Sequence, residues 1–229
     1  MTGFAYYSGW READAYYSTL GAQWVVSSLP PFAFLVLSAG TITTILMCSF
    51  IALQLISTKK VSGRFVAFAG LAIVLLALVS QFSYKLLPAR FNTPATAWEF
   101  EQAHASLLAV AAGIFLAEAV SKFQRAKQEW SHAVVYTMYL ALLYGLDQGP
   151  ADHGRDRARY YLSTSCEDLP IAVTNESVQM KWRLIDLVGQ NALLIQIPIT
   201  GKHPIFRMIQ TKDIIELQTS PSEKNGSVR

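Results

Sequence analysis

Long apolar stretches separated by short polar segments make up the first two-thirds of the chain. Residues 30–56 contain no charged side chain, and as a helix rising about 1.5 Å per residue they exceed the roughly 30 Å hydrocarbon core of a bilayer. The same pattern predicts further spans at 65–82, 105–123 and 132–147. The last run is the shortest, so a re-entrant or interfacial segment is its alternative. We therefore expect a four-helix transmembrane domain over residues 30–147.

The pattern changes after residue 147. Residues 148–159 begin with glycine and proline and continue with alternating charge, which predicts a hydrophilic linker. From residue 160 to 218, β-branched and aromatic residues occur in short runs with turn signals between them, and residues 219–229 form a polar tail that we expect to be disordered. The predicted fold class is a membrane all-α transmembrane bundle of four helices with a small β-rich extra-membrane C-terminal domain. Its runs MKWRLIDLV, ALLIQIPI and IFRMIQ predict at least three strands in a meander, with turns at Gly189 and Gly201 between them, and the IIEL run is a candidate fourth.

Composition and charge favour a multi-pass membrane protein. Hydrophobic residues make up 52% and charged residues 15%, against roughly 25% charged in soluble domains. The basic residues lie in short loops, three each at 57–64 and 122–131 but two at 83–104, so the net charge of +3 does not indicate nucleic acid. Cys48 and Cys166 are too few and too far apart to indicate a disulfide framework. The positive-inside rule makes the C-terminal domain extracytoplasmic, or cytoplasmic if the fourth segment does not cross.

The N-terminal segment, residues 1–29, is rich in aromatic side chains. Trp10, Tyr17 and Trp24 recur every seven residues and lie close to one face if the segment is helical. This spacing predicts an interfacial helix at the membrane surface. An aromatic surface for a partner or a sugar is the alternative. Because the segment lacks the pattern of a cleavable signal, we expect the first span to act as a signal anchor.

Small side chains recur every four positions in three of the predicted spans. Helices in a bilayer associate by close backbone approach, which small residues permit, so these stripes predict packing faces. The stripes and the undersized β-rich domain together predict a homo-oligomer. An alanine-rich composition without an interface is the alternative. The packing residues are Gly40, Thr44 and Cys48 in the first span, Ala109, Gly113 and Ala117 in the third, and Thr137, Ala141 and Gly145 in the fourth.

Residues that could support catalysis or transport are sparse. Glu118 is the one carboxylate within a predicted span, and Lys122 four residues later predicts an ordinary helical ion pair. Glu101 and His104 have the spacing of di-metal helices, but the sequence has no second Glu-x-x-His. His132, His153 and His203 are isolated, so surface or hydrogen-bonding roles are their default. Without a recognised catalytic or nucleotide-binding motif, we expect no enzymatic activity, no cofactor and no metal.

These observations predict a non-enzymatic polytopic membrane protein that acts as a sensor, scaffold or partner-binding subunit of a membrane complex. Its expected partners are the lipid bilayer, another protein and further copies of itself. In architecture alone the chain resembles bacterial accessory membrane proteins such as the membrane subunit of the Kiwa anti-phage system and toxin-immunity proteins. That resemblance implies the bacterial inner membrane as the location and anti-phage defence or toxin immunity as candidate roles. An oligomeric channel or transporter subunit is the alternative, disfavoured by the lack of charge near the predicted midplane.

Overall fold

Helices form most of the chain and a sheet forms its end. The computed structural model describes residues 2–83, 86, 88, 93–125, 132–164, 166–174, 182–196 and 204–219. The helices are α1 (Thr2–Leu20), α2 (Pro31–Ser57), α3 (Gly63–Ser83), α4 (Pro94–Arg125), α5 (His132–Leu142) and α6 (Gly149–Ser163), with a 3-10 turn at Gln23–Ser28 and a π-helical turn at Leu143–Gln148. The strands are β1 (Ile171–Thr174), β2 (Trp182–Val188), β3 (Asn191–Gln196), β4 (Ile205–Gln210) and β5 (Ile214–Gln218), with a 3-10 turn at Thr211–Asp213.

Within the described ranges, three helices are long and apolar enough to cross a membrane, at Pro31–Ser57, Gly63–Ser80 and Thr96–Arg125. Large apolar side chains such as Phe68 and Leu75 are exposed on the outside of these helices. Such surfaces are compatible with a multi-pass membrane protein, because lipid tails are as apolar as the side chains. Three of the four predicted spans therefore coincide with candidate membrane-spanning helices, and the predicted count of four is not confirmed.

The fourth predicted span and the predicted linker both belong to one helical segment. α5 has only 11 residues, and the helical backbone continues through the π turn into α6, with αR dihedral angles at Leu142 and Gly149. The prediction of a linker at 148–159 is thus wrong in its secondary structure. Its alternating charges lie at helical spacing, as in the ion pair between Asp156 and Arg159, and its proline lies just after the π turn, where the regular α-helical hydrogen bonding is already altered.

The C-terminal strands form one antiparallel sheet in the order β4-β3-β2-β1-β5. β2, β3 and β4 make the predicted meander, and Gly189 takes a left-handed φ of 63° in the turn between β2 and β3. β5 supplies the predicted fourth strand. β1 was not predicted, since four residues are too few to display an alternation, yet it lies inside the sheet between β2 and β5.

The sheet packs directly on two helices. Leu193 and Ile195 of β3 belong to the same buried cluster as Tyr17 of α1 and Ala158 of α6. The alternate residues of β3 face a second buried cluster built around Trp182. Burial on both faces explains why β3 is apolar at successive positions and lacks the usual alternation. We call α1, α6 and the sheet together the head.

The helix bundle therefore has two different ends. At the head end, Trp98 near the start of α4 lies 5.4 Å, ring to ring, from Tyr160 of α6. At the other end, which we call the basic end, α2 leads into Lys59 and Lys60, and α4 finishes at Arg125. The start of α5 also lies there, because Lys122 Nζ is 3.5 Å from the hydroxyl of Thr137. The segment from α5 to α6 thus passes from the basic end to the head.

Candidate functional site

The predicted small-residue stripes lie mostly at contacts within this one chain. A Cβ atom at Gly113 would stand 2.6 Å from the Ile45 carbonyl oxygen and 2.8 Å from Cys48 Cβ, so α2 and α4 cross there. Gly145 faces Ile45 and Ala112 in the same way. The remaining members are buried in the third and fourth helices but not in the first: Ala109, Ala117, Thr137 and Ala141 are buried, Thr44 is half-buried and Gly40 is exposed.

The three aromatic residues predicted for the membrane interface do not form one exposed face. Tyr17 is 2% exposed and lies inside the protein core, so it cannot meet a lipid headgroup. Trp10 packs against the same core as a partly buried residue, and Trp24 is exposed in the 3-10 turn after α1. The seven-residue spacing reflects packing between α1, α6 and the sheet, and the prediction of an interfacial role is wrong for Tyr17.

Two glycines allow α1 to lie unusually close to its neighbours. A side chain at Gly154 of α6 would overlap the backbone carbonyl of Glu12, and one at Gly9 of α1 would overlap the carbonyl of Phe34. Backbone contact at these crossings leaves no space for side chains between the helices. Polar side chains of α1 and α6 that flank the crossings are consequently held within hydrogen-bonding distance of each other.

An acid and a histidine pair across the crossing of α1 and α6. The Nδ1 atom of His153 lies 3.0 Å from Glu12 Oε1, and the Glu12 side chain is only 7% exposed. The ring of Trp98 lies 6.0 Å from the imidazole, which places the pair between α1, α4 and α6. A carboxylate this deeply buried needs a compensating partner, and among the described residues His153 is the one that it contacts.

A second acid and histidine pair lies beside the first. His104 of α4 points one ring nitrogen at the Ala77 carbonyl oxygen, 2.8 Å away, and the other at Asp152 Oδ2, 3.4 Å away. Both partners accept hydrogen bonds, so this geometry suits an imidazolium that donates from both nitrogens. His104 thereby ties α3, α4 and α6 together.

Two aspartates of α6 have opposite pKa shifts. Burial raises the pKa of Asp152, but hydrogen bonds from His104 and Arg155 outweigh it and leave the pKa below its ordinary value. For Asp156, burial dominates over the attraction of Arg159 and the pKa is raised. α6 therefore carries one carboxylate that is held ionised and one that is costly to ionise.

The sheet joins this polar region through a β-bulge in β2. The register shifts between Leu184 and Asp186, which changes the alternation of side chains along the strand. The Tyr17 hydroxyl donates to Asp186 Oδ2 at 2.8 Å, and the backbone N–H of Leu187 donates to the other oxygen. Burial raises the pKa of Tyr17, so the hydroxyl keeps its proton and remains a donor. Arg157 of α6 covers the neighbouring Tyr16 ring, 5.0 Å from its centroid.

A cavity of about 240 Å³ opens beneath the Glu12–His153 pair. Its walls come from α1, α2, α4, the π turn and α6. Thr41, Thr44 and Ser106 supply hydroxyl groups to these walls. The π turn that borders the cavity is a feature often found at functional sites. We call this cavity with its two acid–histidine pairs the polar junction.

The sequence did not reveal the polar junction. Glu12 and His153 lie 141 positions apart, and His104 and Asp152 lie 48 apart, so no local spacing brings them together. The predicted pair of Glu118 with Lys122 is confirmed, with Nζ 2.8 Å from Oε1. Among the described ranges, no group of three His, Cys, Asp or Glu side chains is arranged to hold a metal ion.

Comparison with known proteins gives no family for this chain: no family model matches it, and neither a curated protein nor a solved structure is similar to it.

Proposed function

We propose that this chain is a non-enzymatic multi-pass membrane protein that senses or binds a partner through its head and passes the change to its helix bundle. The observation that carries this proposal is the attachment of the sheet to helices of the bundle. The sheet rests on α6, which continues without a break into α5. A movement of the sheet would therefore displace α6, and with it the π turn and α5.

The head has a surface that suits a protein partner. Among the described strands β5 lies at an edge of the sheet, and its Ile215 and Leu217 are 62% and 48% exposed. An edge strand with unpaired backbone groups and apolar side chains can receive a strand from another protein. A second copy of this chain would satisfy the same surface, which supports the expected homo-oligomer. Anti-phage defence and toxin immunity remain proposed roles on the architectural resemblance alone.

The head is proposed to lie outside the cytoplasm. The charges support this orientation, because Lys59, Lys60 and Arg125 are at the end of the bundle opposite the head. We expect single cysteines at Thr93 and Thr219, in a background without native cysteines, to react with a membrane-impermeant maleimide in intact cells. Ser62→Cys should react only after permeabilisation. Reaction of Thr219→Cys on the same side as Ser62→Cys would contradict this topology.

Coupling between the head and the bundle can be measured by amide hydrogen exchange. Asp186→Ala removes the acceptor of the Tyr17 hydroxyl and loosens the sheet from α1. We expect exchange to become several-fold faster both in β2 and in Leu143–Gln148, because local opening spreads through packed elements. The matched control is Leu187→Ala, since this neighbouring side chain is 53% exposed. Faster exchange confined to the sheet would contradict a role in relaying a signal.

A channel or transporter subunit is the second candidate, and the cavity of the polar junction favours it. Hydroxyl groups of Thr41 and Ser106 line this cavity between α2 and α4, as a polar pathway would require. Ion flux in proteoliposomes separates the two candidates. Flux that Ser106→Trp abolishes would support the channel and replace the sensor.

A further inference from the structure

The basic end carries a groove that is separate from the polar junction. It lies between the last turns of α2 and α4 and has a volume of about 530 Å³. Phe50, Leu53 and Ile56 form its apolar part. Lys59 and Arg125 line it where α2 and α4 finish, and no carboxylate is among the described residues that line it.

The groove changes from apolar to cationic along the helix axis. Phe50 and Ser57 are seven residues apart on α2, which corresponds to about 10 Å. Gln54, Ser57 and Gln124 lie among the apolar side chains and beyond them, and the two cations follow. A wall that is apolar at Phe50, gains hydrogen-bonding groups toward Ser57 and ends in positive charge suits the acyl chain, glycerol ester and phosphate of a phospholipid.

We propose that this groove binds an anionic phospholipid, with the phosphate between Lys59 and Arg125 and one acyl chain along Phe50 and Leu53. Basic pockets between transmembrane helices on the cytoplasmic side are suited to such headgroups. The volume lies within the 300–1,000 Å³ range typical of ligand sites, so it accommodates a headgroup and the first part of a chain. The inference rests on the proposed membrane location of the bundle.

Lys59 offers a way to remove charge without damaging the fold. Its φ of 56° is left-handed, a conformation that glycine or asparagine tolerates better than lysine. Lys59→Asn should therefore fold at least as stably as the wild type in detergent without lipid. A loss of lipid binding in this variant is then a loss of the site and not of the structure.

Native mass spectrometry in detergent, with phosphatidylglycerol or phosphatidylethanolamine added, tests the site. We expect the wild type to retain phosphatidylglycerol in preference to phosphatidylethanolamine. Lys59→Asn and Arg125→Gln should each weaken phosphatidylglycerol binding about fivefold, because one basic side chain at a membrane surface usually contributes about that factor to binding. The double variant should therefore weaken binding about 25-fold. A melting curve without lipid reports whether each variant is folded.

Lys60→Gln is the matched control, because it removes a charge from the same loop but does not line the groove. Binding weakened equally by Lys60→Gln and Lys59→Asn would indicate a diffuse basic surface and overturn the proposal. Equal retention of both lipids, or stabilisation by inorganic phosphate as large as that by phosphatidylglycerol, would overturn it too. The maleimide labelling of Ser62→Cys tests the proposed topology separately, so failure of that proposal is distinguishable from failure of the lipid site.

Discussion

Gly154→Ala is expected to force α6 away from α1 and to destabilise the whole head. The added methyl group would overlap the Glu12 carbonyl and stand 3.0 Å from the backbone nitrogen of Tyr16. Because both neighbours are backbone atoms of a helix, neither can turn aside as a side chain would. We expect a loss of about 3 kcal/mol, the upper part of the range for overpacking, and a melting temperature lower by about 6–12 °C.

The matched control is Gly40→Ala, because nothing lies within 4 Å of the Cβ position on this exposed face of α2. Alanine favours a helix over glycine by about 1 kcal/mol, so the control should be neutral or slightly stabilising. Thermal unfolding in detergent, followed by circular dichroism, compares the two variants. A melting temperature of Gly154→Ala within about 2 °C of the wild type would contradict the backbone contact between α1 and α6.

The elements that could be predicted are those whose signal is local. α2 spans Pro31–Ser57 against a prediction of 30–56, because an uncharged run bounded by proline and lysine marks both ends of a helix. β2 and β3 were likewise found from short β-branched runs around a glycine turn. In each case the information lies within a few residues of the element itself.

The elements that could not be predicted depend on distant partners. α6 has the composition of a loop, yet α1 packs along it through Gly154, and Ala158 reaches the core of the sheet. The spacing of the aromatic residues in α1 predicts a helix at the membrane surface, because the sequence does not show that a sheet near the C-terminus covers them. No rule of sequence spacing predicts the acid–histidine pairs of the polar junction either, because the partners in each pair lie far apart in the chain.

The small-residue stripe of α4 shows how one pattern fits two assemblies. A face of small residues indicates that another helix approaches closely, but it does not indicate whether that helix belongs to the same chain. At Gly113 the neighbour is α2 of the same chain. Of the three stripes, the part that stays exposed and could contact a second copy is around Gly40 of α2, which also borders the polar junction.

Gly113→Leu is therefore expected to disrupt the fold of each single chain. The leucine side chain would enter the space of the Ile45 carbonyl and the Cys48 side chain, and it would separate α2 from α4. We expect a loss of about 3 kcal/mol or more of stability, since the obstruction again includes backbone. Thermal unfolding in detergent should show this loss equally at all protein concentrations, because an intramolecular contact is not subject to mass action.

Gly40→Leu separates the two uses of the small residues. It is the same substitution at an exposed position of α2 that borders the cavity of the polar junction, and no atom lies within 4 Å of the added Cβ. We therefore expect a much smaller loss of single-chain stability than from Gly113→Leu. If copies of the chain associate through this stripe, Gly40→Leu should lower the oligomer mass seen by native mass spectrometry while Gly113→Leu lowers the melting temperature. The melting temperature of the wild type could instead fall on dilution until it equals that of Gly113→Leu. That result would mean that Gly113 lies at a contact between two chains.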